Sequence, residues 1–218
     1  MFDRIVKRYD FLNHFLSFGQ DFFWRKKMAK ISSKNAERFI LDLATGTADS
    51  ALALIERDIK VVGVDISFEM LKFGKRKIEK RKKNHSFFPI SASAYQLPFK
   101  DKSFDAVTCA FGIRNMHKTK IALEEIYRVI KPGGRVIILE FSLPQGVFKK
   151  LYLLYLKFIP FIASLFSVSS AYEYLSSSIR SFYRPEEFIE LLQSCGFKNI
   201  KAFPLNFGCV HLYSGEKI

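Results

Sequence analysis

Two apolar runs that each end in a carboxylate constrain what this chain can fold into: Leu41-Asp42-Leu43-Ala44-Thr45-Gly46-Thr47-Ala48-Asp49 and Val61-Val62-Gly63-Val64-Asp65. The first opens into a turn of small residues ahead of a helical stretch. A strand–loop–helix–strand unit of this kind grips a nucleoside, and the terminal Asp65 suits a ribose diol. A dinucleotide loop would need three glycines so that the backbone could crowd a pyrophosphate. Here the turn carries Gly46 alone, with Ala44 and Ala48 at neighbouring positions. Asp42 and Asp49 flank it and disfavour a polyanion at short range, whereas a sulfonium or ammonium is favoured. The loop therefore reads as a site for S-adenosylmethionine. Asp42, Gly46 and Thr47 are expected beneath its methionine part and Asp65 at its ribose. Ser93 and Ala94, after the third strand, are expected at its adenine.

The rest of the chain alternates in the same way. Phe39 to Leu43, Lys60 to Val64, Ser86 to Ile90, Ala106 to Phe111 and Arg135 to Glu140 read as strands. Helices are expected from Ser50 to Arg57, after a Ser67 cap, from Lys118 to Ile130 and from Pro185 to Cys195. Lys131-Pro132-Gly133-Gly134 is expected to stop the third of these. Asn199 to Leu205 and Phe207 to Tyr213 look like a closing strand pair. Such alternation implies an α/β fold with a mostly parallel sheet covered on both faces, its ligand crevice at the strands' carboxyl ends.

One domain is expected over 1–218, in four parts. These are an N-terminal helical cap (1–36), a cofactor-binding core (37–143), an apolar helical lid insertion (144–184), and a C-terminal helix with a strand pair (185–218). Within the lid, Leu151 to Val168 is almost continuously apolar, yet Lys157 and Pro160 lie near its middle. A charge at bilayer depth is costly, so two short helices forming a lid are expected rather than a membrane span.

Charge and cysteine usage narrow the class. Formal net charge is 35 − 21 = +14, which fits nucleic acid, an anionic membrane surface or many solvated lysines. Much of the excess lies between Lys72 and Lys83, most simply a solvated helix face. No run of stacking aromatics interleaved with basic residues appears, which disfavours a nucleic-acid module. Cys109, Cys195 and Cys209 are odd in number and unpaired in sequence, so neither a disulfide framework nor a metal site is expected, and a reducing cytoplasm is. The charged N-terminus lacks an apolar signal core, so export is not expected.

Several separated blocks together resemble the ubiquinone/menaquinone biosynthesis C-methyltransferases. They are Lys7-Arg8-Tyr9-Asp10-Phe11-Leu12-Asn13 with Ser17-Phe18-Gly19 and Trp24-Arg25; Leu41 to Asp49; Asp65-Ile66-Ser67; and Ala94-Tyr95-Gln96-Leu97-Pro98-Phe99. Phe111-Gly112-Ile113-Arg114-Asn115, Leu139-Glu140-Phe141-Ser142, Tyr172-Glu173-Tyr174-Leu175 and Ser178-Ile179 continue them. The resemblance covers nearly the whole chain. It implies a class I S-adenosylmethionine-dependent methyltransferase with a seven-stranded sheet. The implied reaction moves a methyl group to a ring carbon of a polyprenylated quinol: demethylmenaquinol, or a benzoquinol of the ubiquinone pathway. Another lipid or small phenol is the wider alternative. By the same resemblance, cofactor positions fall on Thr47, Asp65, Ser93, Ala94 and Ala110. Ala48 stands where the family loop has a second glycine, Ser93 where a larger polar group is common, and Ala110 where serine is frequent.

A ring carbon becomes nucleophilic only when its neighbouring hydroxyl loses a proton, so the site must stabilise a phenolate and align the reacting atoms. Arg114 and Asn115 are expected at the developing oxyanion. Tyr9, Asp10, Asn13, Glu140, Tyr174 and Ser178 are expected to position the quinol or relay its proton. A structural clamp between Arg114 and Asp10 or Glu140 is an equal reading. No histidine is expected to act as the base. A polyprenyl tail lives in a bilayer, so peripheral contact with the inner membrane face is expected through 151–168. Lid packing or a homodimer interface is the other use for that segment.

Overall fold

The computed structural model describes residue 10 and residues 13–33, 39–164 and 169–218, without the side chains of 159–172. Tyr9 lies outside the described residues. In order come α1 (Gln20–Ser32), β1 (Phe39–Leu43), α2 (Asp49–Ile55), β2 (Lys60–Asp65), α3 (Phe68–Lys80), β3 (Phe87–Ser91), β4 (Phe104–Ala110), α4 (Thr119–Val129) and β5 (Ile130–Phe141). Then follow α5 (Val147–Ser164), α6 (Ser169–Ser181), α7 (Pro185–Ser194), β6 (Lys198–Leu205) and β7 (Val210–Glu216).

The strands form one seven-stranded sheet in the order β3-β2-β1-β4-β5-β7-β6. β1 to β5 run parallel, and β7 enters antiparallel between β5 and β6. Ile40, Leu41, Asp42 and Leu43 of β1 are at most 1% exposed, as expected of a strand covered on both faces. Leu123 and Ile126 of α4 with Phe188 and Leu192 of α7 belong to the core on one face. Met28 of α1 with Leu54 and Ile55 of α2 belong to the other. Chain order reverses between β1 and β4, so the crevice opens beside the ends of β1, β2 and β4.

Ser67 caps α3, its hydroxyl accepting the Met70 N–H at 3.2 Å. Two expected elements differ. The Lys-Pro-Gly-Gly stretch is not a turn between a helix and a separate strand. Ile130 already pairs with Phe104 and Arg135 with Ala106, so 131–134 bulge out of one continuous β5. Gly134 is needed there because a Cβ would lie 2.5 Å from the Asp105 carbonyl oxygen. The apolar segment is not two short helices bent at Pro160 either. Proline removes one amide donor, yet α5 continues through it from Val147 to Ser164. With Lys149, Lys150 and Lys157 in its length, α5 is no span: among the described residues no helix is long and apolar enough to cross a membrane.

Candidate functional site

The loop after β1 makes its turn with Ala44, Gly46 and Ala48 all in the left-handed region, at φ 53°, 54° and 67°. Ala48 begins α2 in a conformation that costs an alanine about 1–2 kcal/mol. Gly74 of α3 makes room for it, since a Cβ there would sit 2.9 Å from that of Ala48. Asp65 closes the loop from the next strand, its carboxylate accepting the Gly46 N–H at 2.8 Å and the Ser67 N–H at 2.9 Å. Ala92 donates to the Asp65 carbonyl at 3.2 Å, so Ser93 and Ala94 follow at the neighbouring strand end.

The N-terminal segment is tied to this loop. Thr47 Oγ1 donates to Asp10 Oδ1 at 2.5 Å. Lys77 of α3 bridges Asp10 and Asp49, at 2.7 Å from the latter. Asp10 therefore pairs with Lys77, not with Arg114, and Lys77 leaves the solvated face assigned to its helix.

Asp42 corrects one expectation. Its side chain is fully buried, and its two oxygens accept the hydroxyls of Thr45 at 2.6 Å and Thr108 at 2.7 Å. Burial pushes its carboxyl up to about 6, against the pull of those hydroxyls and of Arg25. It supports the loop from below and does not reach the cavity.

A cavity of about 630 Å³ runs from this loop to the lid. Thr45, Gly46, Thr47, Ala110 and Asn13 line its cofactor end. Arg114 borders it, and Leu151, Tyr152, Leu154, Tyr155 and Phe158 of α5 wall the far end. Asp65, Ser93 and Ala94 lie outside this cavity, on the adjoining crevice edge. Burial keeps the hydroxyl of Tyr152 protonated well above its ordinary range, pushes that of Tyr155 up to about 12 and the Cys209 thiol to about 11. Near neutral pH these groups stay protonated, and none is a base.

Arg114 is clamped by Glu140. Their side chains meet at 2.7 Å and are 8% and 0% exposed. The other Glu140 oxygen accepts the Arg114 backbone N–H at 3.2 Å. Arg114 also donates to the Phe111 carbonyl at 2.7 Å and to Ser178 Oγ at 3.3 Å. Glu140 and Ser178 thus hold the guanidinium in place, and Glu140 is too enclosed to touch a substrate. Asn115 follows in the same turn, and its buried Oδ1 has no hydrogen-bond partner among the described residues. Tyr174, half-buried on α6, is not in the cavity wall, which takes Leu175 and Ile179 instead.

Three features escape the sequence reading. His14 bonds through Nδ1 to the buried Asp21 at 2.8 Å. Asp21 also accepts Ser17 Oγ at 2.8 Å and Arg25 Nη1 at 2.6 Å. Trp24 and Arg25 line the cavity, and the i,i+4 spacing of Asp21 and Arg25 on a helix was the signal for their pair.

The model of the ubiE/COQ5 methyltransferase family matches residues 1–217. A ubiquinone/menaquinone biosynthesis C-methyltransferase of Geotalea daltonii is 45% identical over all of this chain and 94% of its own length. A demethylmenaquinone methyltransferase of Thermus thermophilus is 42% identical, with both chains covered completely. Among solved structures, a SAM-dependent methyltransferase of Thermotoga maritima aligns at TM-score 0.68 and 20% identity, covering 100% of this chain and 98% of its own. Haemonchus contortus phosphoethanolamine N-methyltransferase 2, in complex with S-adenosyl-L-methionine, aligns at TM-score 0.71 and 16% identity, over 100% of this chain and 60% of that one. At such identities the structures establish a shared fold.

Proposed function

The chain belongs to the ubiE/COQ5 methyltransferase family, and from that premise we propose that it methylates a ring carbon of a polyprenylated quinol, demethylmenaquinol to menaquinol. It is an S-adenosylmethionine-dependent C-methyltransferase. The residues present fit that cofactor: Asp65 at a strand end, a tight loop of small residues, and carboxylates around it that favour a sulfonium. When bound, S-adenosylmethionine supplies an activated methyl group on a sulfonium.

The observation that carries the substrate reading is the continuity of one cavity from Thr45–Thr47 to an apolar chamber under α5. A polar ring and an apolar tail need those two environments in one space. Arg114, fixed by Glu140, Ser178 and the Phe111 carbonyl, presents a positive charge to a quinol oxygen as it ionises. Asn115 follows it in the same turn but does not line the cavity. Asn13 stands at the cofactor end of the wall, and Asp10 positions the loop through Thr47. Tyr152, Tyr155 and Cys209, held protonated, contribute hydrogen bonds and apolar surface. The α5 chamber accommodates the tail and excludes water from the reacting atoms.

The cavity's rim supports contact with a membrane surface. Phe18, Leu151, Phe158 and Phe207 border the cavity and are each more than half exposed. Lys149, Lys150 and Lys157 flank them on α5, the composition of an interfacial helix facing anionic lipid. The enzyme then meets its quinol at the cytoplasmic face of the bilayer. Deleting the gene and weighing the extracted quinones tests the proposal. A pool lighter by one methyl group supports it and names the ring, benzoquinol being the other outcome; a pool of unchanged mass overturns it.

A further inference from the structure

Tyr152 and Tyr155 stand one turn apart on α5, both line the cavity, and their rings pack 6.0 Å apart. The i,i+3 spacing places them on one face of the helix. Their hydroxyls are used differently. Tyr155 donates to the Leu16 carbonyl at 2.6 Å, which ties α5 to the segment ahead of α1. The Tyr152 hydroxyl has no hydrogen-bond partner among the described residues, although the side chain is half-buried. A sheltered phenol that makes no hydrogen bond is costly unless a molecule in the cavity completes it.

The charges that reach each hydroxyl say where it lies. Arg114 and Glu140 act on that of Tyr152 and not on that of Tyr155, which Cys209 alone influences. The free hydroxyl is thus the one on the Arg114 side of the chamber, and burial keeps it a donor near neutral pH. Arg114 brings a cationic donor to the cavity from the turn after β4, and Tyr152 brings a neutral one from the lid.

A quinol has two oxygens, para to one another on opposite sides of the ring. The one that ionises neighbours the carbon to be methylated, because an oxyanion there pushes electrons onto that carbon. In demethylmenaquinol the next carbon bears the tail, and the second oxygen neighbours that one. Since α5 walls the chamber that takes the tail, the second oxygen comes to rest against the lid.

We propose that Tyr152 donates a hydrogen bond to the quinol oxygen beside the tail-bearing carbon, and so selects a ring that carries two oxygens over a simple phenol. The proposal rests on the quinol reading above, and makes Tyr152 a substrate-binding residue and Tyr155 a tie between the lid and the N-terminal segment. The oxygen that Tyr152 contacts keeps its proton throughout, so the bond is equally strong in the ground state and the transition state.

Initial rates with two short-tailed probes test it. One is demethylmenaquinol, and the other is the naphthol that keeps the hydroxyl beside the reacting carbon but has hydrogen in place of the second oxygen. Tyr152→Phe is expected to raise KM for the quinol about 3- to 10-fold, the size of one neutral hydrogen bond. Its kcat for the quinol and its KM for the naphthol are expected within about twofold of wild type. The melting temperature is expected to be kept, since the hydroxyl has no partner to lose. If the naphthol binds without turnover, its inhibition constant against the quinol takes the place of KM. An equal rise for both probes shows a packing role and overturns the proposal, as does an unchanged KM for the quinol. A fall in kcat at constant KM also overturns it, by putting the hydroxyl at the oxygen that ionises. A wild type that methylates neither probe overturns the quinol reading itself.

Discussion

Phe111 and Phe141 pack ring to ring at 4.6 Å, and each carries a guanidinium of its own. Arg25 lies 5.3 Å from the first ring and Arg114 5.3 Å from the second. The aromatic pair thus separates two cations that border one cavity, one beside Ser50 and the loop after β1 and the other beside Glu140 and Ser178. Phe111 holds its place at φ 59°, a left-handed conformation rare for a bulky residue and the kind of backbone strain found at functional sites.

Replacing Arg114 by Lys tests the acceptor side. An ammonium keeps the charge but cannot serve Glu140, the Phe111 carbonyl and a quinol oxygen at once. We expect kcat to fall about 100-fold, with cofactor affinity within about twofold of wild type. Initial rates with a short-chain quinol and calorimetry with S-adenosylmethionine separate the two. An equal loss in both would remove Arg114 from the acceptor side.

Asp65→Ala addresses the ribose. It removes a carboxylate that also accepts the amides of Gly46 and Ser67. We expect S-adenosylmethionine to bind at least about 10-fold more weakly, and unfolding to be easier by about 1–2 kcal/mol. Unchanged affinity in calorimetry would refute the ribose role.

Asp42 gives a pH signature. Its carboxyl is raised from 3.8 to about 6, so between those values the folded protein binds more protons than the unfolded chain. Stability attributable to this group is therefore highest below the unfolded pKa, falls as pH rises towards 6, and is flat above, by on the order of 3 kcal/mol in all. Asp42→Asn should abolish that fall. Urea melts of both proteins from pH 4 to pH 8 check it, and parallel curves would show that Asp42 titrates normally.

Ala48→Gly should stabilise the protein by about 1 kcal/mol, since glycine has no penalty in the left-handed region that Ala48 occupies. Gly74→Ala should do the reverse, because its new methyl meets Ala48 and the Thr47 backbone. Thermal unfolding reads both, and a lower Tm for Ala48→Gly would contradict the strain.

The double change Leu151→Glu and Phe158→Glu tests the rim. It puts charge on two exposed apolar positions of α5 without touching Arg114 or the loop. Sedimentation with phosphatidylglycerol vesicles should drop severalfold, with the melting temperature preserved. Equal sedimentation would leave the rim without a membrane role.

The parallel core was legible because its strands are short apolar runs ending in Asp42 and Asp65, and buried strands need no other pattern. Ser67 was legible as a cap for a local reason, its hydroxyl reaching an amide three residues on. What escaped depends on contacts distant in sequence. Asp42 and Asp65 look alike in sequence, yet threonines on two elements close around the first and leave the second at the crevice edge. The sequence left Glu140 equally a quinol ligand or a clamp on Arg114, and only the fold, which brings the two together at 2.7 Å, decides for the clamp. Pro160 reads as a breaker because a local rule counts its missing amide, yet the backbone of α5 runs on to Ser164.

The turn from Asn206 to Gly208 joins walls that lie far apart along the chain. Asn206 Oδ1 accepts the Trp24 indole N–H at 3.0 Å, and Phe207 stacks on Phe148 at 4.5 Å. Both contacts reach back from the final hairpin, whose last strand inserts between β5 and β6. During synthesis this turn, with Cys209 and Val210 directly after it, leaves the ribosome after the rest of the cavity wall. A nascent chain with β1 to β5 in place therefore has a formed cofactor loop but an open chamber, and an apolar rim unpartnered until β7 arrives. That interval is when the chain is most prone to aggregate.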